Sequence, residues 1–304
     1  MTFGGERGAS GVLVAVGLAL AGCPSTSTAP EPPHEDWGQV PTPTATCLGN
    51  SDGVIAPDEI PPVDLADDLR VAFLANNASS VALPPGWLSE DEGLVFDLSL
   101  ERLPTAADDR QLFIGVAAAD GWYTPYVTGE WEAPIDTAEG LLGLFARSGD
   151  DVVLRGIASE ADGQTALSYS APVPLFRLPM EDGDSWEATV DAEGLADGVD
   201  YPSDQGASGV VSLVHKWSFA VDGVGRALLP GADLPVLRLR LVLRVEAWNS
   251  ITGLFAADTA RATFLVAECA GTVARLRSQP DELDEDFATA TEVLRFGLAP
   301  ELIP

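Results

Sequence analysis

From Val210 onward the chain alternates apolar and polar residues with a period of two. In VVSLVHKWSFAV, the residues Val211, Leu213, His215, Trp217, Phe219 and Val221 fall on one side. In LPVLRLRLVLRVEAWN, Leu237, Leu239, Leu241, Leu243 and Val245 point one way, and Arg238, Arg240, Arg244 and Glu246 the other. Alternation sustained over this length predicts strands with one dry and one wet face. DTARATFLVAEC and GTVARLRS predict two more, and LRVAFLAN, GLVFDLSLERL, QLFIGVAAA, WYTPYVTGEW, VVLRGIAS, TALSYSAPV and SWEATVD precede them. Gly, Pro, Asp and Asn punctuate most of the gaps. Only TAEGLLGLFARSGD, Thr137 to Asp150, hints at a short helix. No repeat of fixed period is visible, which disfavours a propeller or solenoid. The expected body, residues 47–304, is all-β: one large curved antiparallel sheet or a two-sheet sandwich, with little helix.

The first 46 residues follow a different pattern. Gly11 to Gly22 is almost wholly apolar. It is too short to span a bilayer, which takes ~20 residues, and it reads as the core of a secretory signal. Pro24 to Thr46 is rich in Pro, Ser and Thr and cannot build a core. Between the two stands Leu20-Ala21-Gly22-Cys23, which resembles the lipid-attachment box of bacterial lipoproteins. That resemblance implies cleavage before Cys23, attachment of lipid to its thiol, and a membrane anchor; a single acyl chain holds only marginally, and a second makes the hold stable. Pro24 follows the cysteine rather than Asp, which by the same resemblance favours the outer membrane over the inner, with the body in the periplasm or at the cell surface. The chain then divides into a signal peptide (1–22), a tether (23–46) and one β-rich domain (47–304). At ~3.1 Å per residue, an extended tether reaches roughly 70 Å.

In the oxidising compartment that this resemblance implies, the two remaining cysteines, Cys47 and Cys269, are expected to form a disulfide. Zinc would need more thiols or histidines than the chain holds. Directly after Cys47, LGNSDGVIAPDE (Leu48 to Glu59) overlaps a calcium-loop pattern, with Asn50, Asp52 and Glu59 at ligand positions and Gly53 at the tight turn. Leu48 stands where an Asp should begin the set, and Pro61-Pro62 forbid the exit helix. The stretch therefore reads as a turn, with a weak calcium site as the alternative; no other cofactor is expected.

Composition limits the partners further. The chain of 304 residues carries 47 Asp and Glu against 16 Lys and Arg, a net charge of -31, with Lys216 the one lysine. Nucleic acid, which needs clustered cations, is excluded, and so is basic attraction to anionic lipid. Motifs for catalysis are missing: the only histidine of the body, His215, falls on an apolar face, and no nucleophile elbow, phosphate loop or dinucleotide fingerprint occurs. The ladder Arg238, Arg240, Arg244 reads as cross-strand pairing with acids, and alternatively as a recess for an anionic group. Asp191 to Gly206 reads as a solvated acidic loop. The stretch LPMEDGDSW, together with Gly223, Gly225, Pro230, Gly231, Leu237 and Arg238, resembles a pattern in uncharacterised secreted bacterial proteins over the last third of the chain, and implies a sheet and nothing more. The function expected is a non-catalytic, membrane-tethered module that binds or supports an unknown protein in the envelope. The alternative is a carrier that holds a hydrophobic molecule on a curved sheet face. Calcium-stabilised adhesion is a weaker third.

Overall fold

The chain was analysed as a computed structural model, which describes residues 50–60, 70–76, 81–85, 87–89, 94–104, 110–114, 116–117, 121–137, 139–201, 211–230 and 232–296. These residues fall within the compact unit Trp37–Pro304. The signal-like run, Cys23, the tether, Cys47 and Leu48 lie outside them.

Among the described residues there are strands and turns and no helix. The first nine strands are β1 (Val54–Ile55), β2 (Arg70–Asn76), β3 (Val81–Ala82), β4 (Leu88–Ser89), β5 (Leu94–Asp97), β6 (Arg110–Ile114), β7 (Val116–Ala117), β8 (Trp131–Asp136) and β9 (Leu141–Ser148). They continue as β10 (Asp151–Ser159), β11 (Ala166–Phe176), β12 (Met180–Glu181), β13 (Ser185–Ala196), β14 (Val199–Tyr201) and β15 (Val211–Leu229). The last four are β16 (Ala232–Asn249), β17 (Gly253–Ala267), β18 (Gly271–Ser278) and β19 (Thr289–Phe296). The expected all-β class is what the fold shows. One large antiparallel sheet runs in the order β8, β9, β10, β11, β13, β15, β16, β17, β18, β19, β2, β6, with β7 beside β8; β1 and β12 form a small sheet of their own. The large sheet curves. Side chains on the inner face of β18 and β19 reach back to β8: Arg275 donates to the Pro134 carbonyl at 2.8 Å, and Glu292 accepts from the Thr137 amide at 2.7 Å.

The interior is filled by apolar side chains of the inner face, among them Trp131, Phe145, Trp186, Trp217 and Phe219. Trp186 and Trp217 both stack on Phe219, at 5.1 and 6.2 Å between ring centroids. A second core lies on the outer face of β15 to β19, where Trp87, Phe96, Leu98 and Leu103 pack on Ala227, Leu229, Leu265 and Leu276. A β-bulge makes this second core possible. Val221 pairs with Leu239 but Val224 with Leu237, so Asp222 and Gly223 together face Arg238. The extra residue inverts the parity of β15: before it odd positions point inward, after it they point outward into the second core. Beyond the bulge, β5 pairs with β15 in parallel, Leu94 beside Gly225. Only glycine fits there, because a Cβ on Gly225 would stand 2.3 Å from the Leu94 carbonyl oxygen.

Arg295, fully buried on β19, ties the second core together. Its guanidinium donates to the carbonyls of Leu98 (2.6 Å), Ser99 (3.2 Å) and Leu103 (2.5 Å). Burial lowers its pKa to about 10, so it stays charged at neutral pH.

Four expectations are corrected. The helix expected over 137–150 is strand β9 between turns. Both faces of β9 are covered, Phe145 by the inner core and Leu144 by a third cluster with Tyr123 and Val127, so its sequence lacks alternation. The strand expected over WYTPYVTGEW is a set of turns up to Trp131: the amides of Tyr126 and Val127 both donate to the Tyr123 carbonyl. The acidic loop expected over 191–206 is largely β13 and β14, and residues 202–210 lie outside the described set. The face of β16 taken as wet is so only in part: Arg244 is exposed, but Arg238 is 5% exposed and Glu246 3%.

Candidate interaction surface

The upper ends of β16 and β17 form a hairpin that no other layer among the described residues covers. Trp248 faces Leu254 across it, and Asn249 faces Gly253. The turn between is built by the Asn249 side chain, whose Oδ1 accepts from the amides of Ile251 and Thr252, and by Gly253 at φ 82°. Such Asx turns need no apolar side chain. Yet Ile251 is 69% exposed, Leu254 43% and Trp248 37%. Single exposed apolar residues are ordinary; three on one tip, two of them cross-strand neighbours, form a patch.

The patch is held in place from below. Glu246, itself buried, accepts from Lys216 Nζ (3.0 Å), from Arg244 Nε (2.8 Å) and from the Trp248 indole (2.9 Å). The Lys216 hydrogen bond is the largest cause that pulls its pKa down to about 2, against the opposing effect of burial. The carboxylate is ionised at any physiological pH and fixes the Trp248 ring.

Neighbouring connections carry exposed apolar residues of their own. Val199, past the β13 turn, and Tyr126, beside Gly194, are both exposed. Exposed charges of both signs lie at this end: Lys216 and Arg244 flank Glu246 beneath Trp248, and Glu160, Asp162 and Asp197 are exposed on neighbouring connections.

The opposite end belongs to the segment that follows Cys47. The Ser51 amide donates to Glu268, and the Cys269 amide donates to the Glu59 carbonyl at 2.7 Å. Ile55 and Ile60 add to the inner core there. From Gly253 to Ala267, the length of β17 separates this end from the hairpin tip by about 45 Å, at ~3.3 Å per residue.

The residues singled out in the sequence fall as follows. Asn50 Oδ1 accepts from the Asp52 amide, Asp52 Oδ1 from the Val54 amide, and the buried Glu59 carboxylate from the Ala56 amide. Each oxygen serves its own turn, and among the described residues no three His, Cys, Asp or Glu side chains are grouped to hold a metal ion. His215 lies in the core with its Nδ1 3.1 Å from the Tyr169 hydroxyl, and burial lowers its pKa to about 4. The arginine ladder pairs with acids: Arg238 with Asp222 and Asp286, Arg240 with Asp222, Glu285 and Asp286, and Arg244 with Glu246. Asp222 reaches two arginines because the bulge turns it outward.

Sequence reasoning missed the tip and the buried ions of β18 and β19. A Trp, an Ile and a Leu in and around an Asn-Ser-Ile-Thr-Gly turn were the available signal for the first. For the second there was none, since Arg275, Arg277, Asp136 and Glu292 meet only in the fold. No family model, curated protein or solved structure matches the chain.

Proposed function

We propose that the protein is a lipid-anchored, non-catalytic module of the bacterial envelope, held through Cys23 in the outer membrane, that presents an apolar hairpin end to a protein partner. The observation that carries this reading is the exposed patch of Trp248, Ile251 and Leu254, at the end of β17 away from Glu268 and Cys269. A disulfide from Cys47 to Cys269 belongs to the reading. It is supported by the hydrogen bonds that bring Ser51 and Glu59 to Glu268 and Cys269. A tether of roughly 70 Å gives the body freedom to search for its partner.

The partner is defined by complementarity. An apolar tip on a chain of net charge -31 fits a partner with an apolar pocket on a basic surface. A second copy of this chain, at the same net charge of -31, is repelled. The carrier alternative needs a hollow lined by apolar side chains, and the aromatic packing of the interior favours the interaction module instead.

Replacing Cys23 by Ser tests the anchor. The parent is expected in the membrane fraction with a diacylglyceryl mass on its N-terminal peptide, and the C23S variant in the soluble fraction. An unmodified Cys23 would overturn the anchor. For the surface, I251D/L254D should melt with the parent yet lose the partner from detergent-solubilised envelopes; unchanged recovery of the same partner would overturn that role.

A further inference from the structure

On the outer face of β15, β16 and β17 lies a recess of about 140 Å³. The strand register lays Ser218, Val242 and Arg261 in one row and Ala220, Arg240 and Thr263 in the next. In a chain so acidic, this is a concentration of hydrogen-bond donors. The hydroxyls of Ser218 and Thr263 border it and bond to no other described residue. Arg261 gives its Nε to the Glu282 carbonyl (2.8 Å), and its two terminal nitrogens have no partner among the described residues. The connection between β18 and β19 passes over the recess and closes one side with the buried ring of Phe287.

One carboxylate stands in the way, and it is loosely held. Glu285 meets Arg240 at 2.5 Å through a side chain that is 66% exposed, and it has no other cation. Asp222 and Asp286 differ, for each is held between Arg238 and Arg240. When Glu285 swings into water, three guanidinium groups remain against the two carboxylates held by Arg238 and Arg240, and the recess loses one negative charge, with Glu282 and Asp284 nearby on the same connection. Charge-assisted donors of Arg240 and Arg261 and the hydroxyls of Ser218 and Thr263 then share one recess with an anion's place left open beside Arg240.

We propose that this recess binds a tetrahedral oxyanion, a phosphate or phosphate monoester, in exchange for the Glu285 carboxylate. The anion's oxygens take the Arg240 donor that Glu285 leaves, the free terminal nitrogens of Arg261 and the hydroxyls of Ser218 and Thr263. Glu285 acts as an internal competitor that sets a threshold concentration for binding.

The test is titration of the full chain, in non-ionic detergent, with inorganic phosphate and separately with glycerol 3-phosphate. Ionic strength is held constant with sodium chloride, and both heat of binding and melting temperature are read. A saturable response to either anion is expected. Glu285→Gln should bind more tightly, by up to about fivefold, because an exposed ion pair no longer competes. Arg261→Gln should bind roughly tenfold more weakly through loss of charge-assisted bonds. Response to phosphate alone identifies the free anion as ligand, and response to both identifies the esterified group. No saturable response to either anion in the parent and in Glu285→Gln overturns the proposal, as does a Glu285→Gln affinity equal to that of the parent.

Discussion

The long strands β15 to β17 pass through two unlike environments. Their lower halves are covered on both faces, by the inner core and by the second core that Trp87, Phe96 and Leu98 complete. Their upper halves keep the inner core; the β18–β19 connection crosses part of their outer face, as far as Thr259, and beyond it stand Glu246 as a hub and the hairpin tip. The bulge at Asp222 divides the two. Below it, parity is reversed so that apolar residues of β15 are offered to an added layer; above it, the outer face mixes Lys216, Ser218, Arg240, Arg244 and Glu246 with Val214, Ala220 and Val242. Exposed apolar residues at the tip are thus not remnants of an uncovered core, since the strand beneath them was already given polar positions. They stand where the sheet has no internal use for them.

The largest predicted effect belongs to the covered half. Arg295→Ala strands three carbonyls and empties a buried position. It is expected to cost about 3–5 kcal/mol in urea unfolding, with Leu98 to Leu103 losing amide protection first. A loss under 1 kcal/mol would mean that the second core does not depend on this residue.

The second effect is pH dependence. His215 is held below its ordinary pKa of 6.5, at about 4, by burial. The unfolded chain takes up the proton as pH falls through 6.5, and the folded chain only near 4. Stability is therefore complete above 6.5 and falls by about 1.4 kcal/mol per unit between 6.5 and 4, or roughly 3 kcal/mol in all. His215→Gln should flatten this slope relative to the parent; an unchanged slope would show that the histidine is not the cause.

Third, Gly225→Ala sets a Cβ against the Leu94 carbonyl and should cost about 2 kcal/mol by separating β5 from β15. The tip is the contrasting case. Ile251→Ser and Leu254→Ser should each change stability by less than about 0.5 kcal/mol, because nothing packs over them.

These contrasts also explain what was legible in the sequence. Alternation is visible where one face is dry, as from Leu237 to Val245. It fails where both faces are covered, as in β9, whose Leu144 and Phe145 serve different cores. It misleads at Arg238, whose buried guanidinium lies 5.8 Å over the Phe96 ring and is neutralised by an Asp from a bulge and an Asp from a distant connection. Gly223 and Gly225 were noticed as a pattern, but their reason, the close approach of β5, comes from a strand more than a hundred residues earlier. The candidate surface was half legible: Asn249 and Gly253 announce a turn, whereas the exposure of Trp248 and Leu254 depends on the absence of a covering layer. Cys23 and the tether were the converse case, read from local motif alone.

The most direct test of the central claim is site-specific photo-crosslinking in cells that make the full chain. A benzophenone amino acid is placed at Ile251, at Leu254 and, as a control on the covered half, at Leu100, which is 48% exposed. The account predicts one discrete adduct, shared by the two tip positions and absent at Leu100. No adduct at the tip, or the same adducts at all three positions, would contradict it.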